Sequence, residues 1–313
     1  MPTISSTLFL IIQTLHLVDA AFAVPSVCLQ WPLNQRHQSP LILSFPASPP
    51  PLTAKFICSF DESDFEGKPG DCPYTTADWN RIDNSEDSLF YDTPRLVTHI
   101  DDSAISALTQ FYQQEFALLN KESLDILDLC SSWISHLPSS DTIKYGHVVG
   151  VGMNQQELEA NKQLTKYIVQ DLNKHPLLPQ FGDNSFDVIC NVVSVDYLIK
   201  PLEIFQEMYR VLRPGGIALM SFSNRCFPTK AISMWLQADD IGRLTIVGSY
   251  FHYSAKWTTI EAIDLKDRLP MPKRPSAGDL MKNPSLGLAW MNAASAVAKH
   301  NQGDPMFAVK GVK

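Results

Sequence analysis

The sequence lacks the features that mark several functional classes. Its six cysteines, at positions 28, 58, 72, 130, 190 and 226, form no CxxC pair. A zinc ribbon or a dithiol redox motif therefore has no support. Basic residues are in deficit, with 25 Lys+Arg against 33 Asp+Glu and a net charge of -8, so there is no electrostatic footprint for nucleic acid. The apolar run at residues 8–18 is eleven residues long and is interrupted by Gln13, Thr14 and His16. That is too short to span a bilayer, and the remainder of the chain offers no integral membrane span. No GxGxxG follows a strand signal, which removes the usual dinucleotide fingerprint. What is present is ordinary for a globular protein: 313 residues, 45% hydrophobic and 19% charged, enough for one large domain with extensions.

Charge of one sign is also missing locally. Residues 20–60 contain no Asp or Glu and are rich in Ser, Pro and Leu. This is the composition of an organelle transit peptide, and Ala21-Phe22-Ala23 resembles a small-residue cleavage site. A plastid leader over residues 1–60 is expected, with a secretory route or a cytoplasmic location as alternatives. Residues 61–95 follow with ten acids and three bases and read as a solvated acidic linker. Residues 96–313 read as the folded domain, with a core at 120–265, an insertion at 266–304 and a last strand at 305–312. Cys130, Cys190 and Cys226 lie in or beside apolar strand signals and read as small core hydrophobes.

The domain alternates strand and helix signals. Ser103 reads as the cap of a helix with Ile105, Leu108, Phe111, Tyr112 and Phe116 on one face. Residues 124–130, 147–153, 167–171 and 186–195 read as strands, and Asn154 with Glu157 marks a helix start after the second. The run PLEIFQEMYRVL is an amphipathic crossover helix with Leu202, Phe205, Tyr209 and Leu212 as its buried stripe. Pro214-Gly215-Gly216 ends it, and residues 217–222 form a fifth strand. Residues 257–265 and 305–312 are expected as an antiparallel edge hairpin, with helices around 229–238 and 286–298. Continuous apolar strands separated by helices predict a parallel sheet buried on both faces. The expected fold is therefore α/β: a doubly wound, mostly parallel, seven-stranded Rossmann-like sheet with helices on both faces.

The elements DNSFDV and RVLRPGG, in that order and spacing, resemble the type 11, ubiquinone-biosynthesis-like branch of the class I methyltransferases. The turn CSSW and the strings MSFSNRCF and VGSYFHY are similar to plant and algal methyltransferase-like proteins. The resemblance implies S-adenosyl-L-methionine as cofactor and a small-molecule methyl acceptor. It places Asp128 at the acidic position after the first strand, followed by a turn containing Cys130, Ser131 and Ser132. In that turn Cys130, Ser132 and Ile134 stand where the family has glycines. The family's ribose-binding acid is replaced by Gly152, flanked by Met153 and Asn154. Asp171 and Leu172 match the adenine side, and Asn191 and Val192 the wall under the sulfonium. Trp133 is expected as a packing anchor in the glycine-poor turn. Candidates for a base are Asp196, Tyr197, His252 and Tyr253. Asn224, Arg225 and Tyr253 are expected toward the acceptor. The altered turn and missing acid keep a second reading beside the enzyme, a binding or scaffold protein that retains the fold without turnover.

Overall fold

The computed structural model describes residues 54–313 apart from Asp267 and Pro270; the expected cleavage signal and most of the expected leader lie outside these residues. Eight strands form one sheet: β1 (Lys55–Phe60), β2 (Leu124–Leu129), β3 (Tyr145–Gly152), β4 (Lys166–Val169), β5 (Phe186–Val192), β6 (Leu212–Phe222), β7 (Thr259–Asp264) and β8 (Phe307–Val312). Their order across the sheet is β1-β7-β8-β6-β5-β2-β3-β4. Strands β4, β3, β2, β5 and β6 run parallel, while β8 is antiparallel to both β6 and β7, and β7 to β1. Chain order reverses between β2 and β5, and in open α/β sheets such a reversal opens a ligand crevice at the carboxyl ends of the strands. This is a Rossmann-like architecture, a mostly parallel sheet with helices around it.

The central strands are apolar because both of their faces are covered. One face receives α2 (Asp102–Leu118), which buries Leu108, Phe111, Tyr112 and Phe116. The other receives α4 (Pro201–Val211) and α6 (Asp240–Ser254). Asp101, rather than Ser103, caps α2, accepting from the Ala104 amide at 2.8 Å. Pro201 starts α4, and the buried face is Ile204, Phe205, Met208 and Val211. That stripe is rotated from the expected one: Phe205 and Leu212 are buried, whereas Leu202 and Tyr209 are partly covered. Near its start β6 carries Gly215 at φ +76°, a backbone that a side chain would strain.

Three expectations change. The sheet has eight strands, because Lys55–Phe60, expected inside the leader, pairs antiparallel with β7. A hydrogen-bonding partner strand with buried Cys58 and Phe60 satisfies what would otherwise be an open edge of β7. Residues 61–95 are not a solvated linker. Arg81 forms a two-fold hydrogen bond to Asp87 at 2.8 and 2.9 Å, and the fully buried Lys230 lies 3.3 Å from the same carboxylate. Two of the segment's charges, Arg81 and Asp87, are buried as a pair, which composition alone does not reveal. The helix α6 was not expected as such; its aromatic end, residues 249–253, packs against the 65–74 segment. Residues 130–144 and 170–185 contain no helix, so two connections of the parallel sheet are irregular loops.

Candidate functional site

The crevice at the β2/β5 reversal holds a cavity of about 290 Å³, at the lower end of the ~300–1,000 Å³ usual for small-molecule sites. Its floor is built by the turn after β2. Cys130 adopts φ +56°, the left-handed conformation that glycine usually supplies. The Ser131 amide donates to the Val151 carbonyl at 2.8 Å, drawing the turn over the end of β3. Ser131 Oγ and Ser135 Oγ both donate to Asp128 Oδ2 at 2.6 Å, and Asn161 Nδ2 donates to the Ser132 carbonyl and to Ser135 Oγ at 2.8 Å. Side-chain hydrogen bonds thus hold a turn that glycines would otherwise shape. Burial pushes the Asp128 carboxyl up to about 6, against the lowering effect of the two serines. Trp133 is pinned by its indole N–H to the Val97 carbonyl at 3.1 Å. It and Ile134 line the cavity rather than fill it.

Gly152 at the end of β3 is a consequence of the same turn. A Cβ there would meet the Ser131 carbonyl oxygen at 2.1 Å, so no acidic side chain can stand at this position. The neighbouring Asn154 is committed elsewhere. Its Oδ1 accepts from the Glu157 amide at 3.1 Å, and its Nδ2 donates to the Tyr91 and Asp92 carbonyls at 2.9 and 3.0 Å. Asn154 lines the cavity, with its amide hydrogens spent on the Tyr91 and Asp92 carbonyls and one acceptor site left on Oδ1. It caps α3 (Gln155–Ala160) and anchors the roof. The acid on this side is Glu157, which lines the cavity. Its Oε1 accepts from the Arg95 amide and its Oε2 from Ser132 Oγ, both at 2.6 Å. A carboxylate has about four acceptor sites, so capacity remains. Glu157 was legible only as a helix-start residue.

Met153, Asp171 and Leu172 line the cavity as expected. Asp171 Oδ1 accepts from the Asn173 and Lys174 amides at 2.9 and 3.2 Å. Val192 lines the wall, but Asn191 does not. Its Nδ2 donates to the Leu129 carbonyl at 3.1 Å, joining β5 to β2 from within the sheet. Beside it Val193 has φ +44°, a β-branched residue in the left-handed region, at a cost of roughly 1–3 kcal/mol. Such strain is concentrated at functional sites.

The base candidates separate. Tyr197 lines the cavity, and its hydroxyl accepts from the Phe227 amide at 2.8 Å. Asp196 lies behind the wall, fully buried, with Oδ2 unpartnered and its carboxyl pushed up to about 8 by burial. His252 and Tyr253 are away from the cavity. His252 stacks on Phe65 at 4.8 Å and contacts the Gly67 carbonyl at 3.2 Å, while Tyr253 donates to the Glu66 carbonyl at 2.7 Å. Both hold the N-terminal segment, since the helix direction turns their rings toward it. Asn224 is not part of the lining. Arg225 is, at the rim, with Nε donating to Asp304 Oδ1 at 2.7 Å.

Two features were not anticipated. Residues 91–100 form a roof, in which the Arg95 guanidinium lies 4.5 Å from the Phe90 ring centroid and 5.4 Å from that of Phe227. His136, at φ +54°, also lines the cavity. Its Nδ1 has no hydrogen-bond partner, and burial lowers its pKa to about 4, leaving a neutral ring.

Parts of the chain are similar to known proteins. The family described as "Methyltransferase domain" matches residues 132–220. The malonyl-[acyl-carrier protein] O-methyltransferase of Marinomonas sp. is 28% identical over 76 residues, 24% of this chain and 27% of that protein. The demethylmenaquinone methyltransferase of Listeria welshimeri is 26% identical over 103 residues, 31% of this chain and 43% of that protein. The chain thus spans less than half the length of these curated relatives. Among solved structures, a SAM-dependent methyltransferase from Archaeoglobus fulgidus aligns with a TM-score of 0.41 and 11% identity, covering 66% of this chain and 93% of that one.

Proposed function

We propose that the protein is an S-adenosyl-L-methionine-dependent methyltransferase acting on a small molecule. The observation that carries this reading is the cavity at the β2/β5 reversal, lined by Asp128, Glu157, Asp171 and Leu172 within a segment that matches a methyltransferase domain. The residues fit the cofactor. The left-handed Cys130 gives the turn its close backbone path, Glu157 offers acceptors to ribose hydroxyls in place of the excluded acid at 152, and Asp171 with Leu172 suits an adenine. The bound cofactor supplies an activated methyl group on a sulfonium. The protein's own part is to position the acceptor, since orientation alone can contribute up to about 7–11 kcal/mol.

Calorimetric titration with S-adenosylmethionine and S-adenosylhomocysteine tests the reading. Both ligands should bind saturably, and Glu157→Gln should weaken binding by about tenfold or more, the worth of a hydrogen bond to a charged group. Absence of binding of either ligand at millimolar concentration would sink it. The alternative, a binding protein without turnover, is favoured by the commitment of Asn154 to the roof. Binding without product across an acceptor panel would select it. The acid-free composition of residues 20–54 supports a plastid address. Uptake by isolated plastids with shortening of the chain is the expected result, and exclusion would refute it.

A further inference from the structure

The insertion between β7 and β8 ends in two helices, α7 (Ala277–Lys282) and α8 (Ser285–His300), and neither has a buried residue. Residues 285–298 of α8 carry no charge. The stripe Gly287, Trp290, Ala294 and Val297 is partly covered, with Trp290 donating to the Pro272 carbonyl at 2.9 Å. Outside this stripe, Leu288 and the flanking Met291 are 61% and 56% exposed. Leu269, Met271 and Met281 are also exposed nearby in the chain, at 42%, 59% and 86%. Besides Ser285, Asn292 and Ser295, the outward side of α8 over residues 285–298 is made of Leu, Met and Ala without charge, and apolar side chains of this kind favour a low-dielectric setting. The charge of the segment says what that setting is. Between residues 269 and 303 there are four Lys/Arg (Lys273, Arg274, Lys282, Lys299) and one Asp, within a chain of net charge -8. Exposed apolar side chains fringed by cations are the makeup of a helix that lies in an anionic membrane interface. With 16 residues, α8 is about 24 Å long, short of the ~30 Å hydrocarbon core. Among the described residues no helix is long and apolar enough to cross a membrane. Lying on the surface is the geometry left open to it.

We infer that this insertion docks the protein on an anionic bilayer surface through the outer side of α8. Its base is stapled beside the cavity. Lys266 Nζ donates to Ser103 Oγ at 2.7 Å and to the Gln302 and Asp304 carbonyls at 3.0 Å, and Asp304 holds the rim residue Arg225. Docking therefore sets the cavity mouth close to the lipid. The inference uses no property of the cofactor site, so the two proposals stand or fall separately.

The test is co-flotation of the full chain with vesicles of phosphatidylcholine alone or with 30% phosphatidylglycerol. The full chain should float with the anionic vesicles and be released by salt. Leu288→Asp/Met291→Asp should lower partitioning at least tenfold. Lys282→Ala/Lys299→Ala should lower it roughly thirtyfold on anionic vesicles, at about 1 kcal/mol per cation. Unchanged thermal melting of both variants shows that they remain folded. Three results would each overturn the proposal: no flotation of the full chain, equal flotation of both variants, or self-association through α8 without lipid binding.

Discussion

At position 152 a methyl group has nowhere to go, because the Ser131 carbonyl oxygen sits 2.1 Å from where it would stand. The obstacle is backbone, held by the Ser131–Val151 hydrogen bond, so it cannot rotate away as a side chain can. Gly152→Ala should therefore cost about 1–3 kcal/mol through overpacking, a fall of roughly 2–4 °C in Tm per kcal/mol for a chain of this order. Differential scanning calorimetry reads this directly, and an unchanged Tm would mean that the turn is free to retreat. The same residue shows what sequence could and could not supply. Asp128 and Asp171 were legible because one lies near the end of, and the other just after, a strand whose apolar run is itself legible. Glu157 was not, because its partners Ser132 and Arg95 lie 25 and 62 residues away. Only the crossing of the turn over β3 explains why no acid can stand at 152 while Glu157 lines the cavity. His252 and Tyr253 were misplaced for a related reason, since an aromatic run states composition but not which way a helix presents it.

At the scale of elements, the alternating core from β2 to β6 was readable from periodicity, whereas β1 was hidden by the composition around it. A lone short strand next to a Ser- and Pro-rich stretch has no local signal that survives its context. Its place depends on β7, about 200 residues later. The contact is nonetheless specific. Phe60 packs so close to α6 that a Cβ on Gly248 would meet its ring at 2.7 Å, and Phe60 meets Phe65 at 5.4 Å. A chain beginning at Asp61 should consequently lose about 1.5–3 kcal/mol from Phe60 alone, besides exposing the β7 edge. A chain beginning at Ala54 keeps both. Thermal unfolding of the two should show a clear deficit for the shorter one. Equal melting temperatures would make β1 dispensable and return residues 55–60 to the leader.

For the molecule as a whole, buried ionisable groups couple stability to pH in opposing directions. Asp196 has its pKa raised by burial to about 8, and Asp128 to about 6. For both, the native state binds the proton more tightly than the unfolded chain, whose carboxyls titrate near ~3.9. Their contribution is fully present below about pH 4 and is lost as pH rises, through about 6 for Asp128 and about 8 for Asp196. His136 works the other way, with its folded pKa lowered by burial to about 4. Its contribution is present above the ordinary imidazole value and is lost as pH falls toward 4. The ligand-free protein should thus lose stability between about pH 7 and 8.5, where Asp196 is the main group of these three still titrating. Asp196→Asn keeps the shape, removes the charge and should flatten that limb, which melting curves across the range would show; parallel limbs would place Asp196 in water. Asp128 adds a link to function, because it lines the cavity. A cationic cofactor favours its ionised form, so binding should tighten from pH 5 to 7 and release protons. Calorimetry in buffers of different ionisation enthalpy measures that release, and heats independent of buffer would separate Asp128 from the ligand.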